Sequence, residues 1–170
     1  MQLVKIKRRV LPALFICVTV ASAGLALSQS ALVRSAQPVK VILSGAVERK
    51  EGKVAIERAG SVNPGEVIEY TITSSNAGPI SARQYKTVGL IPARTVYVDG
   101  SAKAEGASVV YSIDGSKSFS SKPMIDERQP DGTVKKVAAP VSMYTHVRFE
   151  WNSPLAPDSH CSASYKVRVK

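Results

Sequence analysis

Apolar and polar residues alternate along much of the chain beyond residue 39. This two-residue period is the pattern of β-strands with one buried and one solvated face. The clearest case is residues 66–74, where Ile68, Tyr70 and Ile72 alternate with polar neighbours. Residues 162–170 alternate in the same way. We therefore predict strands at both places, each with a single apolar face.

Weaker alternation between turn signals predicts several further strands. Asn63-Pro64-Gly65 and Asp114-Gly115 are among the turn signals, because proline presets φ and glycine tolerates a positive φ. Phe149 and Trp151 are expected to anchor the core, as large aromatic side chains usually do. The further predicted strands are residues 39–46, 53–59, 83–90, 95–98, 108–113 and 143–151.

About seven short strands, and no long amphipathic helix after the N-terminal segment, predict an all-β fold. The expected architecture is an immunoglobulin-like antiparallel β-sandwich over residues 39–170, with a small β-barrel as the alternative. Residues 115–140 lack periodicity and are predicted to be a long loop with room for one short edge strand. The strand at 162–170 is expected at a sheet edge, because outward lysine and arginine side chains usually protect edges.

The N-terminal 28 residues have the pattern of a secretory signal peptide. Four basic residues precede an uncharged apolar run at 10–27, and small residues favour cleavage after Ser28. Cleavage after Ala23 and an uncleaved signal-anchor are the alternatives, since the run is long enough to span a bilayer. Residues 29–38 are predicted to be a flexible lead. The rest of the chain is thus expected in the periplasm, on the cell surface or secreted, with membrane anchoring as the alternative.

Composition and charge exclude several classes of protein. The chain has 170 residues, 44% hydrophobic and 21% charged, which excludes full-length disorder. Its net charge is +10, from 23 basic and 13 acidic residues. Removal of the four signal-peptide charges leaves 19 basic and 13 acidic residues, or +6. These charges are interspersed, and Lys135-Lys136 is expected in a solvated turn, so no nucleic-acid partner is predicted.

The candidate catalytic residues are few. His146 and His160 are the two histidines, and no Gly-x-Ser-x-Gly motif accompanies them. His160 adjoins Cys161, but neighbours along a strand point to opposite faces. Cys161 is expected to be a buried thiol, with a bridge to another chain as the alternative. We predict a protein that is not an enzyme, without catalytic, cofactor-binding or metal-binding residues.

Two ligand classes are weighed as alternatives. Calcium prefers carboxylate oxygens from loops, although the acidic residues here match no EF-hand spacing. A glycan would need exposed aromatic side chains as a platform. The calcium candidates are Asp114, Asp126, Glu127 and Asp131, and the aromatic candidates are Tyr85, Phe119 and Tyr144.

The order of several short motifs resembles the bacterial conserved-repeat surface domain family, known as domain of unknown function eleven. The motifs are Pro64-Gly65-Glu66, Tyr70-Thr71-Ile72-Thr73, Asn76-Ala77-Gly78, Ile91-Pro92-Ala93, Tyr97-Val98, Gly100-Ser101-Ala102, Leu155-Ala156-Pro157 and the run from Ser164 to Val169. The resemblance covers roughly residues 55–170. It implies an immunoglobulin-like sandwich in exported or surface proteins, often in tandem arrays, without known enzymatic activity.

The chain departs from that family in three respects. It holds a single copy, and its 115–140 stretch is longer than usual. Gly89 and Arg94 stand where the family often has an acidic residue and a glycine. The expected function is an exported, non-enzymatic module of the bacterial cell envelope with a structural or protein-interaction role. Its partner would be an unknown protein or envelope component. The alternative is a ligand-binding module that uses the 115–140 loop for a glycan or calcium.

Overall fold

The structure is a computed structural model that describes residues 39–170. The predicted signal peptide and flexible lead lie outside this range. The described part is all-β, as predicted, with eleven strands and two short 3₁₀ turns at Ile56–Arg58 and Val141–Met143. Within it, no helix has the length and apolar character needed to cross a membrane. The strands are β1 (Lys40–Arg49), β2 (Gly52–Ala55), β3 (Val67–Ser75), β4 (Lys86–Leu90), β5 (Thr95–Tyr97), β6 (Lys103–Ala104), β7 (Ala107–Ser112), β8 (Met124–Arg128), β9 (Val134–Ala138), β10 (His146–Trp151) and β11 (His160–Val169).

Two antiparallel sheets form a β-sandwich. The larger has the order β2-β1-β3-β11-β5, with β6 also paired to β11, and the smaller has the order β4-β10-β7. Their inner faces meet in a shared core, to which the larger sheet contributes Val47, Ile68 and Tyr165 and the smaller Val147 and Phe149. Each of these side chains is at most 5% exposed. The predicted alternation therefore gave the correct inner faces of β3, β10 and β11.

A buried asparagine fixes the passage from the larger sheet to the smaller one. Asn76 is 2% exposed and follows β3 directly. Its Nδ2 donates to the carbonyl oxygens of Ile80 at 2.8 Å and Leu155 at 2.9 Å, and its Oδ1 accepts from the Gly78 N–H. These bonds satisfy main-chain groups that no strand pairs, so the turn is held without regular structure.

The 115–140 stretch differs from its prediction as a long loop. It contains a two-stranded hairpin of β8 and β9, which pair only with each other among the described strands. Asp126 lies opposite Lys136, and Glu127 lies opposite Lys135. Opposite charges at facing positions favour the pairing of two strands, and the half-buried Ile125 lies opposite Val137. Such strands lack the hydrophobic alternation by which strands are predicted.

The strand at the C-terminal end of the sequence was expected at an edge, and this was wrong. β11 pairs with β3 on one side and with β5 and β6 on the other. Its charged side chains lie on the outer face, where the Lys166 Nζ lies 2.6 Å from Glu48 Oε1. Alternation identifies which side chains face solvent, but it does not determine whether a strand is central or peripheral.

Candidate binding surface

The first half of β1 exposes apolar side chains that point toward the inner side of the sandwich. Val41 and Leu43 share the orientation of Val47, because side chains alternate along a strand. Val47 is fully buried, whereas Val41 is 52% and Leu43 60% exposed. β2 pairs with β1 only from Ala46 onward, so among residues 39–170 no strand pairs with the outer edge of this first half. Within the described residues, the sandwich therefore has an uncovered core face at one side.

The uncovered face forms a cleft of about 420 Å³ between β1 and β4. We call it the β1–β4 cleft. Its walls are Val41 and Leu43 from β1 and the strand β4, and Ile72 of β3 also lines it. β4 contributes two small inward residues, Thr87 and Gly89, which are in register with the core residues of β10. The cleft exists because the smaller sheet has three strands and ends at β4, while the larger sheet continues to β1 and β2.

The main chain of β4 has an open edge along the cleft. β10 is the only strand neighbour of β4 within residues 39–170. The Trp151 N–H donates to Tyr85 O at 3.0 Å, and the Ile91 N–H donates to Thr145 O at 2.9 Å. Because main-chain groups alternate in direction along an antiparallel strand, the odd-numbered residues of β4 point toward β10. The N–H and C=O groups of its even-numbered residues point away from the sheet.

One side chain of the larger sheet reaches this edge. The Tyr165 hydroxyl donates to Leu90 O at 2.7 Å, and burial raises the pKa of Tyr165, which keeps the hydroxyl protonated as a donor. The tyrosine ring lies directly beneath Gly89, where an added Cβ would be 2.4 Å from Tyr165 Cε1. Gly89 thus permits the ring to pass under β4. The position of β4 over β3 and β11 follows from this contact.

One basic side chain lines the cleft. Lys40 precedes Val41 and therefore points to the outer face of β1, with Ile42. Lys86 is the one charged residue that lines the cleft, and its Nζ lies 3.2 Å from Glu150 Oε1 on the outer face of the smaller sheet.

No family model, curated protein or solved structure matches the chain. The resemblance drawn from the sequence motifs therefore stays a prediction, and the fold rests on the strands and sheets described above. The geometry of the described residues is therefore the basis for assigning a function.

The four candidate calcium ligands are not brought together. Asp114 accepts from the Ser118 hydroxyl, from the Ser118 N–H at 3.0 Å and from the Ser112 hydroxyl at 2.7 Å, and these bonds hold the pKa of its carboxyl well below the ordinary value. Asp131 accepts from the N–H and hydroxyl of Thr133, and the remaining two carboxylates face lysines across the hairpin. Within residues 39–170, no three His, Cys, Asp or Glu side chains are grouped to hold a metal ion.

The three candidate aromatic residues pack separately and form no common platform. Tyr144 stacks on Tyr111, with ring centroids 4.8 Å apart, inside a cluster that includes the buried Tyr97. Phe119 is covered by a guanidinium group whose central carbon lies 4.0 Å from the ring centroid. Tyr85 packs against Trp151 at 5.4 Å. Their apolar faces are thus already in use within the protein.

His146 lies at the start of β10, whereas His160 and Cys161 are neighbours at the start of β11. His146 Nδ1 lies 3.1 Å from the hydroxyl of Thr145, and His160 is exposed at the start of β11. Cys161 is half-buried rather than fully buried, and is in register with Ser74 of β3. Burial raises the pKa of its thiol, which disfavours the reactive thiolate.

The β1–β4 cleft was not predicted from the sequence. One signal for it was present, because Val41-Ile42-Leu43 is an unbroken run of large apolar residues within a single strand. All three side chains are at least half exposed. Such a run predicts apolar contacts on both faces of a strand, but only the sheet order shows that the inner contact is missing.

Proposed function

We propose that the chain is an exported, non-enzymatic β-sandwich module of the bacterial cell envelope whose role is to bind another protein. The basic and then apolar pattern of residues 1–28 supports export. The motif order shared with the conserved-repeat surface domains supports the envelope assignment. The observation that carries the binding role is the β1–β4 cleft, where an apolar face and an open strand edge lie side by side.

The cleft is unusual for a β-sandwich that acts alone. Exposed strand edges are normally protected by charges, proline, bulges or a covering segment, because they pair readily with other chains. The even-numbered residues of β4 are Lys86, Val88 and Leu90, of which Val88 is 47% and Leu90 57% exposed. One lysine at one end is little protection for this edge. An exposed apolar cleft beside an open strand edge is expected to be covered by a partner.

Export is tested by fractionating bacteria that produce the full chain. We expect the protein outside the cytoplasm, whereas a variant that lacks residues 1–28 should stay in the cytoplasm. Retention of both proteins in the cytoplasm would contradict the export half of the proposal. A size difference between precursor and exported protein distinguishes cleavage after Ser28 from a signal-anchor.

Binding is tested by photo-crosslinking in intact cells. A photoreactive amino acid replaces Leu43 in the cleft, and the matched control replaces Val134 in the β8–β9 hairpin, which is 61% exposed. We expect a discrete crosslinked species from position 43 and none from position 134. If position 43 gives no adduct, or both positions give the same pattern, the β1–β4 cleft is not the binding surface.

A further inference from the structure

We infer that the β1–β4 cleft receives one extended segment of a partner protein, which pairs with β4 as a fourth strand of the smaller sheet. This inference rests on the proposed function and specifies the form of the partner. Its first support is the direction of main-chain groups of β4. The groups of Lys86 and Val88 and the N–H of Leu90 point away from β10 and along the cleft, while Leu90 O accepts from the Tyr165 hydroxyl. A strand laid beside β4 would satisfy these groups, which is the interaction used in strand addition.

The second support is the fit between the apolar face and a strand in that position. A segment beside β4 extends the smaller sheet over β1, because β4 itself lies over β3 and β11. Its inward side chains would then contact Val41 and Leu43. Side chains alternate along a strand, so a segment matched to the five residues of β4 points two or three of them inward.

The sheet widths favour an extended segment over the edge of a second copy. If β4 paired antiparallel with β4 of another copy, the two-fold axis would be perpendicular to the sheet and the two larger sheets would lie on the same side of the joined sheet. In each copy β1 and β2 extend beyond β4, so these strands of the two copies would occupy the same space. A segment without a second layer of its own meets no such obstacle.

Charge defines the chemistry of the segment further. Lys86 lies at the start of β4, at one end of the cleft, and no acidic residue lines the cleft. The segment should therefore be an alternating apolar and polar sequence that carries a carboxylate at the lysine end. Opposite charge at the rim of an interface speeds association and fixes register.

The probe for this inference is a set of fluorescent eight-residue peptides. In the reference peptide valine alternates with threonine and aspartate stands at both ends. One control replaces the two central residues by proline, and a second carries lysine at both ends. Fluorescence anisotropy with the exported form of the protein should show saturable binding of the reference peptide, at least tenfold weaker binding of the proline peptide, and weaker binding of the lysine peptide at low salt.

Two matched pairs of variants locate the site. Val88→Pro removes an N–H that faces the cleft and leaves the ladder to β10 intact, since proline is tolerated at such edge positions; Val88→Ala is its control. Leu43→Ser removes apolar surface from the cleft, and Ile42→Ser makes the same change on the outer face of β1. We expect Val88→Pro and Leu43→Ser to weaken peptide binding at least tenfold, with the two controls close to wild type.

Several outcomes would overturn the inference. They are the absence of reference-peptide binding, equal binding by all folded variants, or a homodimer in sedimentation experiments that Val88→Pro dissociates. The last outcome would make a second copy the occupant. If photo-crosslinking from position 43 persists unchanged in the Val88→Pro variant, a partner occupies the cleft without strand pairing. In that case the inference fails while the proposed binding function stands.

Discussion

The close contact between Gly89 and Tyr165 predicts that Gly89→Ala destabilises the fold strongly. The added Cβ would lie 2.4 Å from Tyr165 Cε1 and 2.9 Å from its hydroxyl oxygen. The ring cannot move freely, because it is 1% exposed and stacks on Tyr70 with a centroid separation of 5.5 Å. Either the ring or β4 must shift by about 1 Å to restore ordinary contacts.

The size of the effect follows from three terms. Overpacking of a core costs about 1–3 kcal/mol, and loss of the hydrogen bond from Tyr165 to Leu90 costs about 1 kcal/mol. Alanine also restricts the unfolded chain, which offsets about 0.4–1 kcal/mol. The free energy of unfolding should therefore fall by about 2–3 kcal/mol, which for a domain of this size lowers the melting temperature by roughly 6–15 °C.

The measurement is urea unfolding followed by tryptophan fluorescence, because Trp151 is the one tryptophan. Gly45→Ala is the matched control, since its Cβ would meet the Tyr70 ring at 3.2 Å, a contact that a small ring movement relieves. We expect that control to change the free energy of unfolding by less than about 1 kcal/mol. A loss below about 0.5 kcal/mol for Gly89→Ala, or equal losses for both variants, would refute the reasoning.

Three further predictions concern the connections between strands. Arg94 has a φ of 64°, a conformation that glycine adopts without strain, so Arg94→Gly should raise the free energy of unfolding by up to about 1 kcal/mol and the melting temperature slightly. A melting temperature below that of the wild type would contradict this. Asn76→Ala removes the side-chain partners of Ile80 O and of the Gly78 N–H and should cost about 2–4 kcal/mol in urea unfolding; a loss under about 1 kcal/mol would be inconsistent. The pKa of Asp114 is lowered by hydrogen bonds from Ser118, so its stabilisation is complete at neutral pH and is lost as pH falls below the ordinary carboxyl pKa. The stability difference between wild type and Asp114→Asn should accordingly narrow between pH 6 and pH 2, and a constant difference would argue against this role.

The sequence was sufficient for the fold class and for the inner faces of the main strands. Ile68, Ile72 and Val167 could be assigned to the core because a period of two is a local property of a strand. Turns could be predicted for the same reason, because they depend on neighbouring residues. Gly65 has a φ of 89° and lies in the predicted turn before β3, where the Glu66 N–H donates to Asn63 O at 3.1 Å. Each of these features depends on residues that are close together in the chain.

Sheet order and the β1–β4 cleft could not be predicted because they depend on distant pairings. Val41 and Leu43 have the same pattern as buried core residues, and only the end of the smaller sheet at β4 leaves them exposed. The β8–β9 hairpin was missed for a different reason. Its facing positions include Asp126 opposite Lys136 and Glu127 opposite Lys135, so its strands have no hydrophobic period.

The central position of β11 has a consequence for how the molecule is made. Ile72 of β3 is in register with Ala163 of β11, so the middle of the larger sheet joins residues 91 positions apart. Contacts this remote slow folding, because the chain between them must be ordered before they form. While β11 is still within the ribosome or a translocation channel, β3 has β1 as its only possible neighbour in this sheet and keeps one edge free. Emerging chains should thus be prone to aggregate, and the yield of folded protein should depend on whatever shields that edge during synthesis or export.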